Sequence, residues 1–182
     1  DVDGCVAVGR LAGGAGTLTA TAQGFVAIGR EALEDLTSGA ENTAVGYQAG
    51  TAITTGGRNT IMGFNAGITL TTGGNNTFIG RTSGYAATRA SSSVFIGDGA
   101  GEGVTTGNMN IGIGQNAMAG STTGDNNIAI GRYAGDALTS GKQNVLIGQS
   151  AGGKDNTGSN NVYIGDGSGK EATTAAGNVA MG

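Results

Sequence analysis

The sequence predicts an all-β protein, a parallel β-solenoid (β-roll) of about ten stacked 17-residue coils. Three observations predict it: a marker glycine that returns every 17 residues, a short alternating apolar run before each marker, and an excess of small side chains. Each coil of such a solenoid adds one strand to a parallel sheet, with a rise of ~4.8 Å per coil. We treat residues 1–182 as a single repeat domain.

The composition excludes several other classes of protein. Glycine fills 39 of 182 positions and aromatic residues only 4%, so large side chains for an ordinary globular core are scarce. Proline is absent, which excludes collagen. The net charge of −4 argues against nucleic acid as a partner. No apolar run reaches the ~18 residues of a membrane span, so we expect no membrane insertion.

The marker glycines define the coils. From Gly29 to Gly182 they are spaced by 17 residues without interruption, whereas 20 residues separate Gly9 from Gly29. We therefore expect an irregular N-terminal coil over 9–29 and regular coils over 29–182. Glycine at a fixed station is typical of positive φ or of a close approach between backbones. This structural role is predicted for Gly46, Gly63, Gly80, Gly97, Gly114, Gly131, Gly148 and Gly165.

An asparagine precedes most of the short apolar runs. Amide side chains that recur at one station can hydrogen-bond to their copies in the coils above and below. We predict such a ladder from Asn42, Asn59, Asn76, Asn110, Asn127, Asn144 and Asn161. The column is interrupted at Ser93, in a coil that also has Ala90 where glycine is usual.

The middle residue of each run is mostly apolar, and we expect it to point away from the coil's own core. A coil with only three or four sizeable apolar groups offers little bulk for a closed prism. A continuous apolar column would also make an exposed face sticky. We therefore predict an inter-chain face that comprises Ile61, Phe78, Phe95, Leu146 and Tyr163. The alternative is an exposed sheet face with scattered hydrophobic residues.

The residue types leave little room for catalysis. The chain has no histidine and one cysteine, Cys5, which excludes histidine-based triads and ordinary zinc sites. We expect a non-enzymatic protein with no catalytic residues, no cofactor and no metal. The column after the marker glycines contains Tyr47 and Phe64, which we identify as a candidate ligand ridge because exposed aromatic rings stack on sugars. A tolerant surface column is the alternative.

Residues 42–58, with the sequence NTAVGYQAGTAITTGGR, resemble the 17-residue repeat of many phage tail-fibre proteins and bacterial surface fibre proteins. Those proteins often end in a self-cleaving intramolecular chaperone of the endosialidase type. A more distant similarity links the repeat to the heads of trimeric autotransporter adhesins. The resemblance implies a left-handed homotrimer that is extracellular, on a virion or on a bacterial cell surface. The chain starts at Asp1 with no initiator methionine and no signal-type apolar stretch, so we expect a segment or a processed product of a longer protein. The resemblance further implies that a C-terminal chaperone was removed or truncated.

Three functions remain open at this point. The first is the shaft of a fibre, typical of a phage tail fibre in host attachment, with other fibre or baseplate proteins or a cell-surface glycan as further partners. The second is a bacterial trimeric surface adhesin whose rod face binds matrix or glycans. The third is an ice-binding solenoid, because threonines recur in the coils. Adjacent pairs such as Thr54 and Thr55 weaken the third, since neighbouring strand residues point to opposite faces.

Overall fold

The structure is a computed structural model that describes residues 3–14, 18–120, 123–154, 157–174 and 176–182. The described residues form eleven strands of three residues each and no helix. The strands are β1 (Val6–Val8), β2 (Val26–Ile28), β3 (Thr43–Val45), β4 (Thr60–Met62), β5 (Thr77–Ile79), β6 (Val94–Ile96), β7 (Ile111–Ile113), β8 (Ile128–Ile130), β9 (Val145–Ile147), β10 (Val162–Ile164) and β11 (Val179–Met181).

All eleven strands belong to one parallel sheet, in the order of the chain. Val26 of β2 pairs with Thr43 of β3, and every later pair keeps the same 17-residue offset. The longer first coil keeps this alignment, because Val6 pairs with Val26. The predicted fold class is therefore confirmed as a parallel β-solenoid of about ten turns.

The marker glycines lie where each strand turns into the next corner. Gly97 is representative: its φ is 136°, and a Cβ built on it would lie 2.6 Å from the carbonyl oxygen of Gly114 in the next coil. Positive φ and a close backbone approach therefore coincide at this station. Glycine is the residue that satisfies both.

The asparagine column forms a buried ladder. The Nδ2 of Asn59 donates to the Oδ1 of Asn42 and to the carbonyl oxygen of Gly73, both at 3.0 Å. The backbone N–H of Asn59 also donates to the Oδ1 of Asn42, at 3.0 Å. The Oδ1 of Asn59 in turn accepts from the backbone N–H and the Nδ2 of Asn76, so this carboxamide uses both of its hydrogens and both lone pairs without water. At the gap, the backbone N–H of Asn110 donates to the hydroxyl of Ser93, at 3.2 Å.

The middle residues of the strands lie inside the coil's own core, which corrects the predicted inter-chain face. Ile61, Phe78 and Phe95 have no exposed surface in the single chain, and Leu146 and Tyr163 are 1% and 2% exposed. The physical reason is the narrowness of the coil. Small residues at the opposing corners leave space for only one or two large side chains per coil, so a sparse set of apolar groups fills it. The first and third residues of each strand consequently point outward.

Candidate interaction surface

The outward face of the sheet carries two apolar columns along the rod. They comprise the first and third residues of every strand, and each of these residues is valine, isoleucine, threonine or methionine. We call them the aliphatic stripe. The first column is Val6, Val26, Thr43, Thr60, Thr77, Val94, Ile111, Ile128, Val145, Val162 and Val179. The second column is Val8, Ile28, Val45, Met62, Ile79, Ile96, Ile113, Ile130, Ile147, Ile164 and Met181.

The aliphatic stripe is an unusually long apolar surface for a chain of this size. Eleven strands at ~4.8 Å spacing make it about 48 Å long. Two columns about 7 Å apart, widened by their side chains, give an area of roughly 500 Å². Met62 is 40% exposed and Ile130 36%. A continuous apolar patch of this extent is typical of an interaction surface.

Mostly polar residues border the aliphatic stripe on both sides. The N-edge consists of the residues two positions before each strand, such as Glu41 and Arg58, and the C-edge of those two positions after it, such as Arg81 and Asp98. Neighbouring coils form ion pairs along these edges, at 2.9 Å for Glu41–Arg58 and for Arg81–Asp98. An apolar centre with a polar rim is the usual anatomy of a protein interface.

The predicted ligand ridge lies on the C-edge. Tyr47 and Phe64 stack with their ring centroids 5.2 Å apart and their planes at 17°. The guanidinium of Arg30, one coil before, lies 5.4 Å from the centroid of Tyr47. Tyr47 is therefore flanked along the rod by Arg30 on one side and Phe64 on the other. A sugar stacks on a ring face, so Phe64, at 52% exposure, is the member of the pair with an open face.

The irregular first coil is tied to the next coils by a buried carboxylate. Glu31 is 7% exposed and accepts contacts from Arg30 at 2.7 Å and Arg10 at 3.6 Å. The Nε2 of Gln48 donates to its other oxygen at 2.7 Å. The hydrogen bond from Gln48, reinforced by Arg30, holds the pKa of Glu31 below its ordinary value. The geometry of this cluster is that of a structural contact between neighbouring coils.

A cavity of about 300 Å³ opens on the N-edge. It is lined by Ala40, Glu41, Gly57, Arg58, Gly74 and Asn75, and we call it the notch. Sequence analysis did not predict it. Two of its lining residues are glycines, and two others, Glu41 and Arg58, form the ion pair described above.

The described residues hold no group of three or more acidic or cysteine side chains arranged to bind a metal ion. Cys5 is half-buried, and its Sγ lies 3.6 Å from the carbonyl oxygen of Ala22. In the same described part of the chain, no helix is long and apolar enough to cross a bilayer. Comparison with family models, curated proteins and solved structures gives no significant match to this chain. Fold and surface together define a β-solenoid rod with one apolar face.

Proposed function

We propose that the chain is a non-enzymatic shaft segment of an extracellular or virion fibre, a homotrimer of left-handed coils joined along their aliphatic stripes. The single observation that carries this proposal is the aliphatic stripe itself, which runs along all eleven strands, is apolar except for the threonines of β3, β4 and β5, and has mostly polar edges. Burial of roughly 500 Å² of stripe together with both edges approaches the ~800 Å² per partner of a standard interface.

Three copies suit this face because flat sheet faces can close around a common axis. Each layer of such a trimer brings together six outward side chains, for example three copies of Val145 and three of Ile147. Closed cyclic symmetry then covers every stripe and leaves no apolar face in water. Parallel ladders between coils make the rod stiff, as a shaft that supports a host-attachment tip requires. Other fibre or baseplate proteins are the partners expected at its ends.

The solution mass tests this proposal. Light scattering after size exclusion should give a mass near three times the 17.5 kDa of one chain. Ile130→Asp puts a charge into the aliphatic stripe and should yield a monomer that keeps its β-sheet circular dichroism. Ser140→Asp, at an exposed corner outside the stripe, is the matched control and should remain trimeric. A monomeric wild-type chain would refute the shared axis.

A surface adhesin is the second candidate, and the open face of Phe64 is the observation that favours it. A glycan array with this segment separates the two functions, because a bare shaft should bind no glycan. Ice binding finds less support. The outward columns are aliphatic, with threonine in only three successive strands, at Thr43, Thr60 and Thr77.

A further inference from the structure

Two complementary features lie at the same height on opposite edges of the aliphatic stripe. Glu41 of the notch and Tyr47 flank β3, each two residues from an end of the strand. Arg58 of the notch and Phe64 flank β4 in the same way. The stacked Tyr47–Phe64 pair, which we call the knob, is convex, because Phe64 is half exposed. The notch is concave.

Cyclic symmetry brings these two features together. In a closed ring of parallel copies, the C-edge of one copy faces the N-edge of the next, since each interface joins two different surfaces. Rotation about an axis parallel to the rod moves no residue along the rod. The knob lies beside β3 and β4 and the notch beside β3, β4 and β5, so the two features overlap in height.

We propose that the knob of one copy docks into the notch of the neighbouring copy, so that the partner of this aromatic pair is a second copy of the chain. This contact presupposes the trimer proposed above and assigns a specific role to one place in its interface.

The chemistry of the two surfaces is complementary. Gly57 and Gly74 line the notch without side chains, which lets an aromatic ring approach the backbone. Arg58, in an ion pair with Glu41, offers a guanidinium to the open face of Phe64. A guanidinium over an aromatic face is attractive and gains strength when water is removed. The hydroxyl of Tyr47 is of the right type to donate to the carboxylate of Glu41.

This contact would set the alignment of the copies. The aliphatic stripe repeats with little variation every coil, so copies could pack almost equally well after sliding by one coil, ~4.8 Å. A shift by one coil places Arg58 opposite Arg81 or opposite Tyr47, and it moves Phe64 away from Arg58. Only the unshifted arrangement seats both rings on the ion pair.

A photo-crosslinker at the knob tests the contact directly. p-Benzoylphenylalanine in place of Phe64 keeps an aromatic ring and reacts with C–H groups that touch it. Equal amounts of isotopically light and heavy chains are mixed by unfolding and refolding, irradiated, digested and analysed by mass spectrometry. We expect light–heavy cross-links from position 64 to the segment 40–58 or to Gly74 and Asn75. The same reagent in place of Tyr85, which is 39% exposed, is the control and should give no such cross-link.

The outcomes separate this contact from the trimer itself. A trimer that cross-links position 64 to any other segment, or to none, overturns the knob-and-notch contact and leaves the trimer standing. A monomeric wild-type chain refutes both. As a second variant, Phe64→Ala should raise the concentration at which the trimer half-dissociates by at least ~10-fold, whereas Tyr85→Ala should leave it unchanged. Equal behaviour of the two variants would also overturn the contact.

Discussion

The coil of Phe95 and the coil that follows it fill the same core space in opposite ways. In the first, the large side chain comes from the middle of β6, and Gly101 stands opposite; a Cβ there would lie 2.5 Å from the Phe95 ring. In the second, the middle of β7 is Gly112, and Met118 occupies the station of Gly101 with no exposed surface. Either side of the coil can therefore supply the large side chain. Two coils supply it from neither side, with Ala44 opposite Gly50 and Ala129 opposite Gly135, and there large side chains of the adjacent coils reach towards the glycine.

The same exchange occurs at the other end of the rod. The middle of β2 is Ala27, and the buried Leu33 stands at the station where most coils have glycine. Leu33 has φ 53° and Met118 has φ 55°, a left-handed conformation that costs a side-chain-bearing residue about 1 kcal/mol. Leu33 and Met118 are both fully buried, and truncating either one would leave a cavity in its coil. A cavity of that size costs more than the strain.

Removing the large side chain of a coil should give the largest loss of stability among the variants proposed. Phe95→Ala should lower the free energy of unfolding by about 3–5 kcal/mol, because it deletes a fully buried ring. Adding Gly101→Met should recover part of the loss, since it reproduces the arrangement of the next coil. Urea unfolding of the wild type, both single variants and the double variant measures the coupling. Gly101→Met alone should destabilise, and a double variant no better than the sum of the singles would contradict the shared space.

This exchange also explains why sequence analysis predicted the coils but reversed their two faces. Alternation with a period of two shows that residues such as Phe95 and its neighbours Val94 and Ile96 face opposite ways, but it does not say which way is inward. Both faces are apolar, so hydropathy gives no direction. The informative signal is a correlation between the sizes of two side chains in one coil: Met118 replaces the usual glycine in the coil whose strand has Gly112 in the middle. A residue that compensates another across the coil must share its core.

The candidate surface was predictable only in part. Tyr47 and Phe64 could be placed on the surface because their column is otherwise polar. The notch could not be found from sequence, since its shape depends on how backbone at Gly57 and Gly74 packs against the neighbouring coil.

A second comparison, between the intact asparagine ladder and its gap at Ser93, predicts a smaller effect. Asn127 is fully buried, and its Oδ1 accepts from the backbone N–H of Asn144 at 3.1 Å while its Nδ2 donates to Gly141 at 2.9 Å. Asn127→Ala leaves these groups without partners and should cost about 2–3 kcal/mol in urea unfolding. Gln149→Ala, an exposed control, should stay within ~0.5 kcal/mol of wild type. Equal effects would mean that the ladder is not a stabilising element.

The gap at Ser93 allows the opposite substitution, which adds an asparagine to the ladder instead of removing one. Across Ser93 the ladder is weakened, yet Phe78 and Phe95 stack there with centroids 5.1 Å apart. Ser93→Asn should restore the ladder between Asn76 and Asn110 and raise the free energy of unfolding by about 1 kcal/mol. Amide hydrogen exchange at Asn110 should slow in parallel. A destabilised variant would show that the stacked rings and a carboxamide compete for the same corner.

The smallest effect concerns two neighbouring coils whose surface corners differ by one charge. The backbone N–H of Asn108 donates to the Oδ1 of Asp125 at 3.0 Å, whereas one coil earlier the N–H of Ser91 donates to the neutral Oδ1 of Asn108 at 2.9 Å. Lys142 at 2.8 Å, helped by the Asn108 N–H, lowers the pKa of Asp125. Its stabilising contribution is therefore present above the unfolded-state pKa of ~3.9 and is lost as the pH falls through the lower folded-state pKa.

Because Lys142 is exposed, we expect that contribution to be below ~1 kcal/mol. Asp125→Asn keeps an oxygen for the Asn108 N–H and removes the charge, as Asn108 itself does for Ser91. The variant should match wild type near pH 2.5 and fall slightly below it at pH 6, in unfolding curves measured at both values. Lys142→Gln should also reduce the difference in unfolding free energy between pH 6 and pH 2.5, since it removes the larger cause of the lowered pKa of Asp125. If neither variant changes the difference between the two pH values that the wild type shows, the acid sensitivity of the rod comes from another carboxylate. Glu31, whose pKa is also lowered, is then the next residue to substitute.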